Sequence, residues 1–210
     1  MSIDTWQKSL EATGLLRSSP KTLWTHPLLT IQEVTLHTPQ GPLTRLILHR
    51  GTFAAVCLHL IGDTREAFLM VRQQRPVRPE PFYEHPAGML EPNEDPKTAI
   101  VRELAEETGF LFMPDDLILL TPAPVYPSPG LWHENGYFFA LRLRVPDTLL
   151  GALSQPHLRQ NPDEPIHLIA LTPRDVITHT TNLQTLAHTL LYLYAQTHPP
   201  DRNLSPSPHS

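Results

Sequence analysis

Three glutamates sit within the run Arg102-Glu103-Leu104-Ala105-Glu106-Glu107-Thr108-Gly109-Phe110, where they oppose the structure around them. Asp95 followed by Pro96 reads as a helix start, an N-cap with proline at the first helical position. Gly109 reads as the stop, so the spacing predicts a helix over Pro96–Thr108. Ile100 and Leu104, four apart, face a core, with Ala99 beside them. Glu103, Glu106 and Glu107 fall in the last two turns, where the helix dipole is negative and each carboxylate costs about 0.3–1 kcal/mol. Glu103 repels Glu106 three residues on and Glu107 four residues on, and all three project to one side. A charge run ordinarily means a solvated face, with Lys97 and Arg102 as partial compensation. Clustering at the unfavourable end points instead to a divalent cation as the missing partner. Glutamates offer only oxygen, which suits Mg²⁺ or Mn²⁺ rather than zinc. Such ions act as Lewis acids and activate water.

Gly88, five residues, Glu94, seven residues, and then Arg102-Glu103-Leu104-x-Glu106-Glu107-x-Gly109-Phe110 match the Nudix box at every specified position. The sequence therefore resembles a Nudix hydrolase. Three flanking stretches between Leu69 and Leu143 resemble the ADP-ribose and nucleotide-sugar pyrophosphatase branch. Glu84-His85-Pro86-Ala87-Gly88 is similar to its Glu-x-Pro-Ala-Gly lead-in, and Gln73-Gln74-Arg75-Pro76 to its Gln-x-Arg-Pro strand end. Ser128-Pro129-Gly130, with Glu134 four residues beyond the glycine, is similar to its Ser-Pro-Gly-x-x-x-Glu loop.

The resemblance implies Mg²⁺-dependent hydrolysis of ADP-ribose or a related nucleoside diphosphate sugar to a nucleoside monophosphate and a sugar phosphate, with Mn²⁺ as an alternative ion. It implies Glu103 and Glu107 as the main metal ligands, with the backbone carbonyl of Ala87 and, directly or through water, Glu106. Glu94 and Arg102 then support the loop–helix–loop as an ion pair. Arg75 is placed to grip phosphates or the terminal sugar, because a guanidinium suits bidentate contact. Arg72, Gly88 and Gly130 join it on the substrate side, although Arg72 reads equally as a surface arginine at a strand end. Glu134 is the candidate general base, Glu106 a second catalytic acid, and His133 an alternative base near neutral pH, against its ordinary reading as an exposed loop histidine. Trp24 is a candidate for stacking on the base, or equally a packing residue. His85 departs from the branch, which has an apolar residue there, and the approach to Ser128-Pro129-Gly130 is longer than in the branch. Two alternatives stay open: another nucleoside diphosphate derivative (a dinucleoside polyphosphate or a coenzyme), or a Nudix-fold module that senses a nucleotide sugar without cleaving it. All the box acids are present, which favours an enzyme.

Positioning these groups requires a cored domain. The 210 residues allow one plus an appendage. The 40% apolar and 18% charged fractions suit a soluble globular chain, and a net charge of −5 without a basic stripe argues against a nucleic-acid polymer. The sequence shows no signal peptide and no apolar run near membrane-span length, and the reading is cytoplasmic, with no membrane partner. The single Cys57, inside Phe53-Ala54-Ala55-Val56-Cys57-Leu58, reads as a buried small hydrophobe.

Along the chain, residues 4–16 are weakly helical, and 29–37 and 43–49 form a hairpin around Thr38-Pro39-Gln40-Gly41-Pro42. Strands follow at 53–60, 67–73, 117–120, 137–145 and 167–171, with a proline-rich loop over 122–135. A short helix begins at Thr172-Pro173, and a longer one over 182–194 carries Leu183, Leu186, Ala187, Leu190, Leu191 and Tyr194 on one apolar face. This mixed order argues for an α/β or α+β fold. The resemblance specifies α/β: an α/β/α sandwich around a mixed sheet, with an N-terminal β-hairpin extension. The expected organisation is an arm and hairpin over 1–50, serving dimerisation and the substrate site, a Nudix domain over 51–198, and a disordered tail over 199–210. By the same resemblance the chain is a homodimer.

Overall fold

The computed structural model describes residues 3–159 and 165–198; the expected tail, 199–210, lies outside them. The chain falls into two compact units, Met1–Phe53 with Val125–Gly136, and Ala54–Pro124 with Tyr137–Ser210.

In the first unit, helix α1 (Ile3–Ala12) precedes strands β1 (Lys21–His26) and β2 (Leu29–Thr38) and the first half of β3 (Gly41–Ile61). The expected hairpin is present: β2 and β3 pair antiparallel from Thr30↔His49 to Thr38↔Gly41. β1 adds to the other edge of β2, from Lys21↔Glu33 to His26↔Leu29, and all six of its residues are exposed. The sequence predicts separate strands over 43–49 and 53–60, but β3 runs through both. Gly51, at φ 112°, takes a backbone conformation that other residues resist, so the strand deforms there without ending.

The second unit is layered as its sequence alternation requires. The rest of β3 pairs antiparallel with β4 (Glu66–Gln73), from Leu58↔Leu69 to Ile61↔Glu66. Short strands β5 (Phe82–Glu84) and β6 (Ala87–Met89) follow, and lead to helix α2 (Pro96–Thr108). β5 pairs with β4, and β6 with β3. Next come β7 (Ile118–Leu119), β8 (Trp132–Arg144), α3 (Asp147–Ala152), β9 (His157–Arg159), β10 (Ile166–Leu171), α4 (Pro173–His179) and α5 (Leu183–Thr197). β10 lies between β4 and β9, antiparallel to both.

Val56, Leu58, Leu60, Leu69 and Val71 point from one face of the sheet to Ile100 and Leu104 of α2. Cys57, Phe68 and Met70 point from the other to Val176 of α4 and Tyr192 of α5. Strand residues one apart thus serve opposite helical layers, the α/β fold expected. Cys57 is fully buried, as anticipated.

Two elements differ from expectation in ways that bear on the site. β8 begins at Trp132 and pairs with β3, so His133 and Glu134 lie on a strand rather than on a loop. On α5 the apolar stripe is not the buried face. Leu183, Leu190 and Tyr194 are 71%, 48% and 60% exposed, and Ala187 is exposed too, whereas Thr185, His188, Thr189 and Tyr192 are buried. Polar partners beneath the helix decide this. His188 Nε2 meets the Phe139 carbonyl at 2.7 Å, Thr189 Oγ1 meets His85 Nε2 at 2.8 Å, and Tyr192 Oη meets His59 Nδ1 at 2.8 Å.

Candidate active site

The acids of α2 are positioned by local chemistry. Asp95 is the N-cap, its carboxylate accepting from the backbone N–H of Lys97 and Thr98, and Pro96 follows. Gly109 closes the helix at φ 77°, its N–H returning to the Ala105 carbonyl. The helix bounds are those the sequence predicts. The expected Glu94–Arg102 pair forms in bidentate fashion, Arg102 Nε to Glu94 Oε1 at 3.1 Å and Nη2 to Oε2 at 3.0 Å. Arg102 also donates to the Met89 carbonyl at 3.2 Å, which fastens the end of β6 to the second turn of the helix. The guanidinium holds the Glu94 carboxyl below its ordinary range.

Glu103 and Glu107 are held differently. Arg102 Nη1 reaches Glu103 Oε1 at 2.8 Å, yet burial outweighs it and raises the Glu103 carboxyl. A β-carbon built on Gly88 would stand 1.9 Å from the Glu103 carboxyl, so only glycine leaves room for that carboxylate against the lead-in strand. Glu107 is nearly buried. The Ala87 N–H donates to its carboxylate, while its Oε2 has no hydrogen-bond partner. Burial first, then the neighbouring Glu103, push this carboxyl up to about 8. Glu106 is the most exposed of the three acids and lies 3.7 Å from Arg102. Among the described residues, no group of three or more His, Cys, Asp or Glu side chains is placed to hold a metal ion.

Arg75, predicted to grip substrate, is tied to the first acid of the lead-in. Its Nη2 and Nε lie 2.8 and 3.2 Å from Glu84 Oε2, and its side chain is 40% exposed. Gln73 Nε2 donates to the same oxygen at 2.7 Å. Arg72 sits in the middle of the sheet, opposite His167 on β10 and Tyr83 on β5. It is the last residue but one of β4, half-buried and paired on both sides. A β-carbon on Gly130 would meet nothing within 4 Å, so local packing does not require glycine there.

Glu134 is nearly buried in the first unit and bonds to Arg50 at 2.9 Å. The residue before it pairs likewise: His133 Nδ1 lies 3.0 Å from His49 Nδ1, with the Trp6 ring 4.6 Å from that of His49. Burial and His49 lower His133 to about 4, so it is neutral at physiological pH. This removes it as a base titrating near neutrality, and it is not an exposed loop histidine. With Arg50, Gly51, His26, Leu28, Leu29 and others, the two histidines line a cavity of about 200 Å³. Trp24 is half exposed and stacks on His26, 5.5 Å between centroids.

Sequence reasoning missed Arg50 and Asn182. Arg50 carries no motif, and its partner is 84 residues away. Asn182 opens the expected helix over 182–194 and proves to be its N-cap, but no local signal marks it as the donor of a 2.7 Å hydrogen bond to Glu84 Oε1. His85, the departure from the branch pattern, is buried among Thr189, His188 and Phe68. It fills an apolar position with a ring that burial keeps neutral.

A NUDIX domain model matches residues 51–185. The Bacillus methanolicus protein named methanol dehydrogenase activator is 33% identical over 82 residues, 39% of this chain and 42% of its own. The ADP-ribose pyrophosphatase of Bacillus subtilis (strain 168) is 30% identical over 111 residues, 53% of this chain and 56% of its own. The ADP-sugar pyrophosphatase of Mus musculus is 28% identical over 123 residues, 59% of this chain and 53% of its own. The chain spans about half the length of these curated relatives.

Proposed function

Because this chain belongs to the NUDIX domain family, we propose that it is a pyrophosphohydrolase that cleaves ADP-ribose or a related nucleoside diphosphate sugar, with Mg²⁺ or Mn²⁺, to a nucleoside monophosphate and a sugar phosphate. The observation that carries the reading is Glu107. A carboxylate oxygen buried without a partner, on a carboxyl raised to about 8 beside a second raised carboxyl, is what a cation site presents when the protein alone must hold the acids. The oxygen-only donors fit a hard divalent ion. Glu103 and Glu107 would hold it, with Glu106 and the Ala87 carbonyl beside them. Once bound, the ion neutralises pyrophosphate oxygens and lowers the pKa of water.

The remaining roles belong to the chain's own side chains. Arg102, clamped by Glu94, orients Glu103, and Gly88 keeps the space into which that carboxylate fits. Arg75, held by Glu84 with part of its guanidinium exposed, binds phosphate. Glu134 accepts the proton of the attacking water, and Arg50 keeps its carboxylate oriented. Leu23 and Trp24 on β1 and Leu46 on β3, each about half exposed, support a homodimer formed through these N-terminal strands. No described helix is long and apolar enough to cross a membrane, and we place the enzyme in the cytoplasm.

The test is release of monophosphate from a panel of ADP-, GDP- and UDP-sugars, with Mg²⁺ and with chelator. Metal-dependent turnover led by ADP-ribose is expected. Tight binding of the panel without turnover in any metal would make the protein a sensor instead.

A further inference from the structure

Asn182 has two jobs that its position in the chain would not suggest. Its Oδ1 accepts from the backbone N–H of Gln184 at 2.9 Å and Thr185 at 3.2 Å, capping α5. Its Nδ2 donates to Glu84 Oε1 at 2.7 Å. The other oxygen of Glu84 takes Gln73 and both near nitrogens of Arg75, and the Glu84 side chain is only 12% exposed. One carboxylate plane is thus pinned from both ends, by the amide of α5 on one oxygen and by the arginine on the other. The residue two before Asn182 fastens the same strand: Thr180 Oγ1 donates to the Tyr83 carbonyl at 3.2 Å and accepts from the Asn182 N–H at 3.3 Å.

We propose that Asn182 is a positioning residue for Arg75, acting through Glu84, so that the start of α5 sets the geometry with which the arginine meets substrate. This rests on the reading of Arg75 as a phosphate-binding side chain. Without the Asn182 amide, Glu84 Oε1 loses that donor in a nearly buried place, and the carboxylate turns to recover solvent. Turning it moves Oε2 off the guanidinium. A mere helix cap behaves otherwise, because serine and aspartate cap as well as asparagine, whereas ionised aspartate has no donor and the serine hydroxyl stops one bond short of where the amide nitrogen donates.

The test compares Asn182→Ser and Asn182→Asp with wild type in the full chain. Three quantities are read: melting temperature, hydrogen exchange of the Arg75 Nε–H resonance (assigned by its absence from Arg75→Lys), and KM and kcat for ADP-ribose with Mg²⁺. Both variants are expected to stay folded, to melt a few degrees below wild type through the lost hydrogen bond to Glu84, and to exchange faster at Arg75. KM should rise about tenfold with kcat unchanged, the usual size of a hydrogen bond to a charged group. Asn182→Asp, which sets a second carboxylate against Glu84, is expected to show the larger change. Unchanged protection of the Arg75 Nε–H in both variants overturns the proposal, whether or not the protein turns over ADP-ribose. Faster exchange with unchanged KM supports the link from Asn182 to Arg75 and overturns the assignment of Arg75 to substrate.

Discussion

Glu107 keeps its proton in the folded chain up to about pH 8, whereas an unhindered glutamate ionises near 4.5. Between those values the unfolded chain gives up a proton that the folded chain retains, so stability falls as pH rises through the window. In chelator, Glu107→Gln is therefore expected to melt several degrees above wild type at pH 8 and level with it near pH 4, while turnover is abolished. Mg²⁺ should raise the wild-type melting temperature more at pH 8 than at pH 6 and leave the variant unmoved; equal shifts in both proteins would remove Glu107 from the cation site. Gly88→Ala tests the neighbouring acid, since the added methyl meets the Glu103 carboxyl. That side chain can swing aside and the fold survives, but Mg²⁺ affinity should fall roughly 10–100-fold, as it does when ligand orientation is lost. Glu134→Gln should lower kcat about 10²–10⁴-fold at unchanged KM, the range for a lost general base. An unchanged kcat would assign the proton to another group.

At the scale of elements, α2 and α5 show what a sequence does and does not reveal. Every signal that bounds α2 is local: Asp95 and Pro96 at one end, Gly109 at the other, and Glu94 eight residues from Arg102. Those residues could be placed from the sequence because their partners are within a few turns. The buried face of α5 is not legible in the sequence because it is chosen by His59, His85 and the Phe139 carbonyl, 49 to 133 residues distant, and no periodicity reports them. Glu134 reads as a loop residue in the sequence for the same reason, since strand pairing is not local. The two faces of α5 can be told apart by urea unfolding. Tyr192→Ala should cost roughly 3–5 kcal/mol as a buried aromatic truncation, and Leu190→Gln should stay within about 0.5 kcal/mol. The reverse ranking would restore the leucine stripe as the core face. Asp95→Ala should cost about 1 kcal/mol through the lost cap.

For the whole molecule, buried histidines set the acid side of the stability profile. His49 and His133 in the first unit and His85 and His188 in the second are all lowered by burial, His133 and His188 to about 4. Unfolded, each takes a proton near 6.5, so stability is present above that pH and is lost as pH falls towards 4. Glu107 acts in the opposite sense on the alkaline side. In chelator, urea unfolding should therefore show a maximum near pH 6.5 with a fall on both sides, and Mg²⁺ should flatten only the alkaline one. A profile that keeps rising towards pH 4.5 would contradict the burial of these rings. Cys57 offers a practical consequence at the same scale. It is the chain's only cysteine, fully enclosed between sheet and helices, and its burial pushes the thiol's ionisation well up. Maleimide reagents should therefore leave the native protein unmodified. A single engineered thiol, for instance Gln40→Cys on the exposed hairpin turn, would take a fluorophore at one address, and the arm could be followed by spectroscopy in an otherwise unmodified chain.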